Sequence, residues 1–67
     1  MNKRYVIETT ITPDNTNKNH PYHWILYCYE DNDCTTINSG WADSPTLAYG
    51  DAMDYCKEMG YVYKIVN

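Results

Sequence analysis

The chain has no phenylalanine, only ten Val, Ile and Leu residues, and only five basic side chains among its 67 residues. So few aliphatic side chains would favour disorder by composition alone. Eight tyrosines and two tryptophans offset that shortage, because each buried aromatic ring removes roughly 150–250 Å² from water. A chain of this size buries only about 60% of the surface that its unfolded form exposes. We therefore predict one small ordered domain over residues 1–67, with an aromatic-rich core.

The scarcity of Lys and Arg disfavours direct contact with a nucleic-acid backbone or an anionic membrane, since both of these partners require clustered positive charge. The net charge is −4, and residues 30–60 contain seven acidic side chains against one lysine. An acidic middle segment favours a basic protein surface as the partner. The alternative is that these side chains only solvate a small domain.

No hydrophobic run is long enough for a signal peptide or a transmembrane span, since Met1-Asn2-Lys3-Arg4 leads directly into an alternating segment. Three cysteines without a secretory signal do not predict a disulfide framework, and we expect a reducing cytosol. Cys28 and Cys34 flank a polar turn. Whether they bond depends on the register of the hairpin, which the sequence leaves open.

Patterns that indicate catalysis or metal binding are also missing. Four side chains within fifteen residues are of zinc-ligand types: His20, His23, Cys28 and Cys34. However, His23 and Cys28 are five positions apart on one predicted strand, so they point to opposite faces. No cysteine has a visible base partner, the carboxylates are expected in solvent, and the three glycines are too scattered for a phosphate-binding loop. We expect no metal, no cofactor and no enzymatic activity.

Hydrophobic periodicity predicts five elements in the order β-β-β-α-β. We expect strands over residues 3–11, 22–29, 35–41 and 61–66, and a mobile surface loop over residues 12–21. The second strand has apolar and aromatic side chains on both faces, which predicts a central position in the sheet. The polar turn Glu30-Asp31-Asn32-Asp33 joins it to the third strand as an antiparallel hairpin.

A helix is predicted to begin after Ser44, with Pro45 in its first turn, and to end at Gly60. Its apolar stripe consists of small and aromatic residues: Ala48, Ala52, Tyr55, Cys56 and Met59. Asp51, Asp54 and Glu58 lie on the opposite side and are called the acidic ridge below. The predicted fold is α+β, a single small domain in which one helix packs on one face of an antiparallel sheet.

One helix covers only one face of such a sheet, and here the other face cannot be wholly polar. An exposed aromatic patch is typical of a partner surface or of self-association, unless the sheet curls tightly enough to bury it. We therefore expect a protein partner, with a homodimer through the open face or an edge strand as a further possibility. The residues predicted for electrostatic steering are Glu30, Asp31, Asp33, Asp51, Asp54 and Glu58. The residues predicted as aromatic anchors are Trp24, Tyr27 and Tyr29.

The segment Ser39-Gly40-Trp41-Ala42-Asp43-Ser44-Pro45, followed by Ala48, Ala52, Met53 and then Gly60-Tyr61-Val62, gives a strand, a helix start, a small-residue helix and a Gly-closed return to a last strand. In layout and size, residues 22–66 resemble small phage-encoded anti-CRISPR proteins and, more loosely, antitoxin domains of HicB type. The anti-CRISPR resemblance implies a phage or mobile-element inhibitor in the host cytosol. Such an inhibitor occupies the basic nucleic-acid channel of a bacterial effector complex or stops its assembly. The resemblance brings no catalytic residues, and the chain has no appended helix-turn-helix of the antitoxin kind.

A function from another class is single-stranded RNA or DNA binding, in which bases would stack on aromatic side chains of the open sheet face. The net negative charge argues against it. Gel shifts of labelled single strands at low salt would separate this function from protein binding.

Overall fold

The computed structural model describes residues 3–10, 12–13 and 18–66. The elements are β1 (Lys3–Thr9), β2 (Tyr22–Glu30), β3 (Asp33–Ala42), α1 (Pro45–Met59) and β4 (Tyr63–Val66). The predicted order β-β-β-α-β and the α+β class are confirmed. Residue 11, predicted as the end of β1, lies outside the described residues, as do residues 14–17 of the predicted loop. The described residues of that loop belong to no helix or strand.

The four strands form one sheet in the order β3-β2-β1-β4, so β2 is an interior strand as predicted. The sheet is mostly antiparallel, and the exception is β4, which pairs with β1 in parallel. The reason is the connection through the helix. β3 runs in the same direction as β1, and the α1 crossover brings β4 back in that direction at the far edge of β1.

The pairing of β2 with β3 contains a β-bulge near its middle. Leu26 lies opposite Asn38 whereas Tyr27 lies opposite Thr36, which leaves Ile37 without a partner in the register. An extra residue reverses which side chains face each side of the sheet beyond that point. As a result Gly40 lies opposite Trp24, and Trp41 lies opposite His23.

The helix has the ends that its sequence predicts. The Ser44 Oγ accepts a hydrogen bond of 3.1 Å from the Leu47 amide, and Gly60 ends the helix in the left-handed region with φ 76°. Ala48, Ala52 and Cys56 are fully buried against the sheet. Small side chains on this stripe let the helix backbone lie close to the strands.

The helix packs on β1, β2 and β3 and covers the sheet face that carries Ile7, Trp24 and Leu26. Tyrosines close the end of this layer where the helix finishes. The rings of Tyr5 and Tyr61 stack with centroids 4.0 Å apart. Tyr55 meets Tyr61 edge-on at 6.3 Å. Aromatic contacts therefore supply core area that the few aliphatic residues do not.

Candidate functional site

The sheet face opposite the helix is called the open face here. Paired residues of neighbouring strands share a face, so the registers define its members. From β1 and β4 these are Arg4, Val6, Glu8, Lys64 and Val66, and from β2 and β3 they are His23, Ile25, Tyr27, Tyr29, Cys34, Thr36, Ser39 and Trp41. The sequence predicted that the face left uncovered by the helix would not be wholly polar, and this face combines aromatic, aliphatic and charged side chains.

Two of the predicted anchors, Tyr27 and Tyr29, lie together on the open face. Their ring centroids are 6.2 Å apart at an interplanar angle of 48°. Both side chains are half-buried. The Arg4 guanidinium carbon lies 5.9 Å from the centre of the Tyr29 ring, within the range of a cation–π contact. The pair therefore presents ring area and two hydroxyl groups with part of its surface still free.

The third predicted anchor, Trp24, lies elsewhere. Its side chain is only 6% exposed and belongs to the core under the helix. A β-carbon built on Gly40 would come within 2.7 Å of the indole nitrogen of Trp24, so the ring packs directly over the glycine. Trp24 is therefore corrected from an anchor to a core residue, because even-numbered positions of β2 face the helix.

Trp41, which the sequence did not single out as an anchor, is the tryptophan that lies on the open face. Its ring centroid lies 4.5 Å from that of His23, and the side chain is half-buried. Without the bulge at Ile37, Trp41 would lie opposite Tyr22 and face the helix. No simple alternation in the sequence reveals this residue, because the bulge depends on pairing with β2.

Cys34 borders the tyrosine pair on the edge strand β3, directly opposite Tyr29. A side-chain hydrogen bond with Cys34 raises the pKa of the Tyr29 hydroxyl above its usual value, and the charge of an ionised Cys34 acts in the same direction. The Tyr29 hydroxyl therefore remains protonated across the physiological range.

The six predicted steering residues fall into two groups on different parts of the molecule. Glu30, Asp31 and Asp33 lie at the β2–β3 turn, next in the chain to Tyr29, and form the hairpin group. The acidic ridge lies on the helix, in the other layer, and all three of its side chains are exposed. Only the hairpin group adjoins the aromatic residues of the open face.

The histidines and cysteines that suggested zinc are dispersed. Cys28 faces the helix whereas Cys34 lies on the open face, so these two free thiols do not point toward each other. His20 bonds through Nδ1 to the Asp43 carboxylate, just before the helix. Residues 3–10, 12–13 and 18–66 contain no group of three or more side chains that could hold a metal ion.

No helix in the described part of the chain has the length and hydropathy needed to cross a membrane. No protein-family model, curated protein or solved structure matches the chain.

Proposed function

We propose that this chain is a non-enzymatic binding protein of the cytosol that contacts a protein partner through the open face and the adjoining hairpin group. The observation that carries the proposal is the position of Tyr27, Tyr29 and Trp41 on a sheet face that the helix does not cover. Tyrosine and tryptophan dominate the energetics of protein interfaces, because they bring large area and a polar tip at low entropic cost.

The partner that the charge favours has a basic surface. The hairpin group places three carboxylates at the end of β2, immediately beyond Tyr29. A partner that receives the tyrosines would therefore meet negative charge at one end of the contact. Electrostatic attraction of this kind mainly raises the rate of association.

The specific function we propose is inhibition of a bacterial nucleic-acid-handling complex by a phage or mobile-element protein. Its support is the resemblance of the sequence to small anti-CRISPR proteins in layout and size, together with the acidic hairpin group. A basic channel that binds nucleic acid is a surface that such carboxylates can occupy in place of phosphates. Blocking assembly of the complex would use the same contact.

The experiment is capture of partners from bacterial lysate by the tagged chain after nuclease treatment, followed by mass spectrometry. A stoichiometric nucleic-acid-handling protein that survives nuclease is the expected result. The double variant Tyr27→Ser/Tyr29→Ser should lose this partner. The control Leu47→Ser changes an exposed apolar side chain on the helix layer, 52% exposed, and should retain it. The proposal fails if both variants behave alike or if nuclease removes every partner.

Single-stranded nucleic acid is a second candidate, favoured by one observation. Arg4 and Lys64 lie on the same face as the tyrosine pair, with only Glu8 opposing their charge on that face. Basic side chains beside stacking rings are the arrangement that single-strand binding requires. A labelled oligonucleotide that shifts at low salt, and that Arg4→Gln/Lys64→Gln releases, would favour this function over protein binding.

A further inference from the structure

A groove of about 380 Å³ lies between β1 and β4, at the edge of the sheet farthest from β3. Its apolar lining includes Val6, Val62 and Val66, and its charged lining is Lys3, Arg4 and Lys64. These are three of the five basic residues of an acidic chain. Positive charge is therefore concentrated at this groove, although Lys3 lies opposite Glu30 of the hairpin group in the register of β1 with β2.

The strand beside the groove, β4, is an edge strand. One of its sides pairs with β1, and no strand of the described residues pairs with its other side. The side chains of Val62, Ile65 and Val66 are 88%, 47% and 46% exposed. A free strand edge with apolar side chains is a template for another strand, because its outward N–H and C=O groups have no partner in the sheet.

We propose that the outer edge of β4 binds an extended segment of a partner protein as a fifth strand, and that this segment alternates acidic and apolar residues. The alternation follows from the two faces of the added strand. A side chain of the added strand that lies opposite Lys64 is on the open face, near Arg4. A side chain opposite Ile65 lies on the helix side, beside exposed apolar surface. The outer edge of β4 is separated from the tyrosine pair by β1, so the inference goes beyond the proposed function.

A second copy of this chain fits the edge less well than an acidic segment. If two β4 strands paired about a two-fold axis with both helices on one side, the two Lys64 side chains would lie directly opposite or diagonally adjacent. Like charges in either position destabilise a strand pair. The same lysine that opposes self-pairing attracts a carboxylate, so the charge selects between these occupants.

The test uses the full chain labelled with ¹⁵N and an end-blocked peptide of alternating Glu and Val. The expected result is a change in amide chemical shifts at Tyr63–Val66 and along β1. Lys64→Glu should weaken binding by about tenfold or more, as loss and reversal of a close charge pair does. That variant should instead bind a peptide of alternating Lys and Val. Lys57→Glu makes the same charge change on the helix and should leave the affinity unaltered.

Strand addition itself is tested with two further peptides of the same sequence. In each, the backbone nitrogens that point to one edge of the extended strand are methylated, and the two peptides differ in which edge is blocked. A strand pairs through one edge, so one of these peptides should lose binding and the other should retain it. The proposal would be overturned if both N-methylated peptides bound equally well. It would also be overturned if Lys57→Glu and Lys64→Glu changed the affinity equally, or if the peptide shifted the amides of Tyr27 and Tyr29 without shifting those of β4. Dimerisation without peptide that produces the β4 shifts would overturn it as well, since a second copy would then be the occupant.

Discussion

Gly40 and Trp24 lie in close contact across β2 and β3. The indole of Trp24 lies where any β-carbon at position 40 would be, with its Nε1 and Cε2 at 2.7 and 2.9 Å from that position. An aromatic ring over a strand glycine covers backbone that would otherwise be exposed. The ring is buried and therefore has little room to move aside.

Gly40→Ala should lower the free energy of unfolding by about 1–3 kcal/mol, because overpacking forces the ring off its position. Gly50→Ala is the matched control, since a β-carbon there meets no atom within 4 Å. In a helix interior this control should stabilise the chain by about 0.5–1 kcal/mol. Urea unfolding followed by circular dichroism measures both changes. A neutral Gly40→Ala would show that Trp24 is not held by this fit.

The thiol of Cys56 makes the free energy of unfolding depend on pH in the alkaline range. Its side chain is fully buried, and burial raises the pKa of its thiol above the usual value. The unfolded thiol then ionises at a lower pH than the folded one, so the contribution to stability is complete below the unfolded pKa and is lost as pH rises toward the folded pKa.

We expect the free energy of unfolding to fall more between pH about 7.5 and about 9.5 in the wild type than in Cys56→Ala, which lacks the titrating group. Comparing the two chains cancels the titration of lysines and tyrosines common to both. Identical pH profiles would contradict the link between Cys56 and alkaline stability.

At the scale of elements, the β2–β3 hairpin depends on an unusual backbone conformation at Asp31. The pairing of Glu30 with Asp33 leaves a two-residue turn, and Asp31 has φ 54°. A positive φ at the first turn residue is what the two-residue hairpin turns of types I′ and II′ require, and glycine meets that requirement at the least steric cost. Aspartate tolerates this region better than most residues do.

Asp31→Val should destabilise the chain by about 1–2 kcal/mol, because a β-branched residue is strained at positive φ. Asp31→Gly removes the same carboxylate without the strain and should leave the midpoint of thermal unfolding close to the wild-type value or above it. The difference between these two variants isolates the backbone effect from the charge. Equal destabilisation by both would assign the effect to the carboxylate instead.

Elements differ in how far the sequence predicts them. The helix ends were predictable because Ser44, Pro45 and Gly60 act within a few residues of where they stand. The alternation that separates Tyr27 and Tyr29 from Leu26 was equally local. The bulge at Ile37 was not predictable, because it arises from the fit between two strands. It alone exchanges Trp41 and Gly40 between faces, which is why the candidate site gained Trp41. Trp24 left the site for a different reason, because even-numbered positions of β2 face the helix.

At the scale of the whole molecule, negative charge lies on two separate surfaces. The hairpin group adjoins the tyrosine pair, whereas the acidic ridge is on the helix. If both groups steer a basic partner, the triple variant Asp51→Lys/Asp54→Lys/Glu58→Lys should slow association and flatten its dependence on salt. Contact at the open face further predicts that charge reversal in the hairpin group changes the dissociation rate as well as the association rate.

Reversal of Glu30 and Asp33 to Lys, with Asp31→Asn to keep the turn, should also speed dissociation, since these residues border the contact. Stopped-flow association at several salt concentrations, with the partner captured as above, measures both rates. Faster dissociation from the ridge variant alone would place the contact on the helix. Unchanged association after the ridge reversal would exclude that surface from steering.

The parallel pairing of β1 with β4 has a mechanical consequence. Lys3 and Val66 lie at opposite ends of this two-stranded ladder, because the strands run in the same direction and Tyr5 pairs with Tyr63. A force that pulls these two positions apart slides one strand along the other. All the hydrogen bonds between the two strands then bear the force at the same time. An antiparallel pair pulled from adjacent ends would instead open one bond at a time. The fold therefore resists a pull between these two positions by shear.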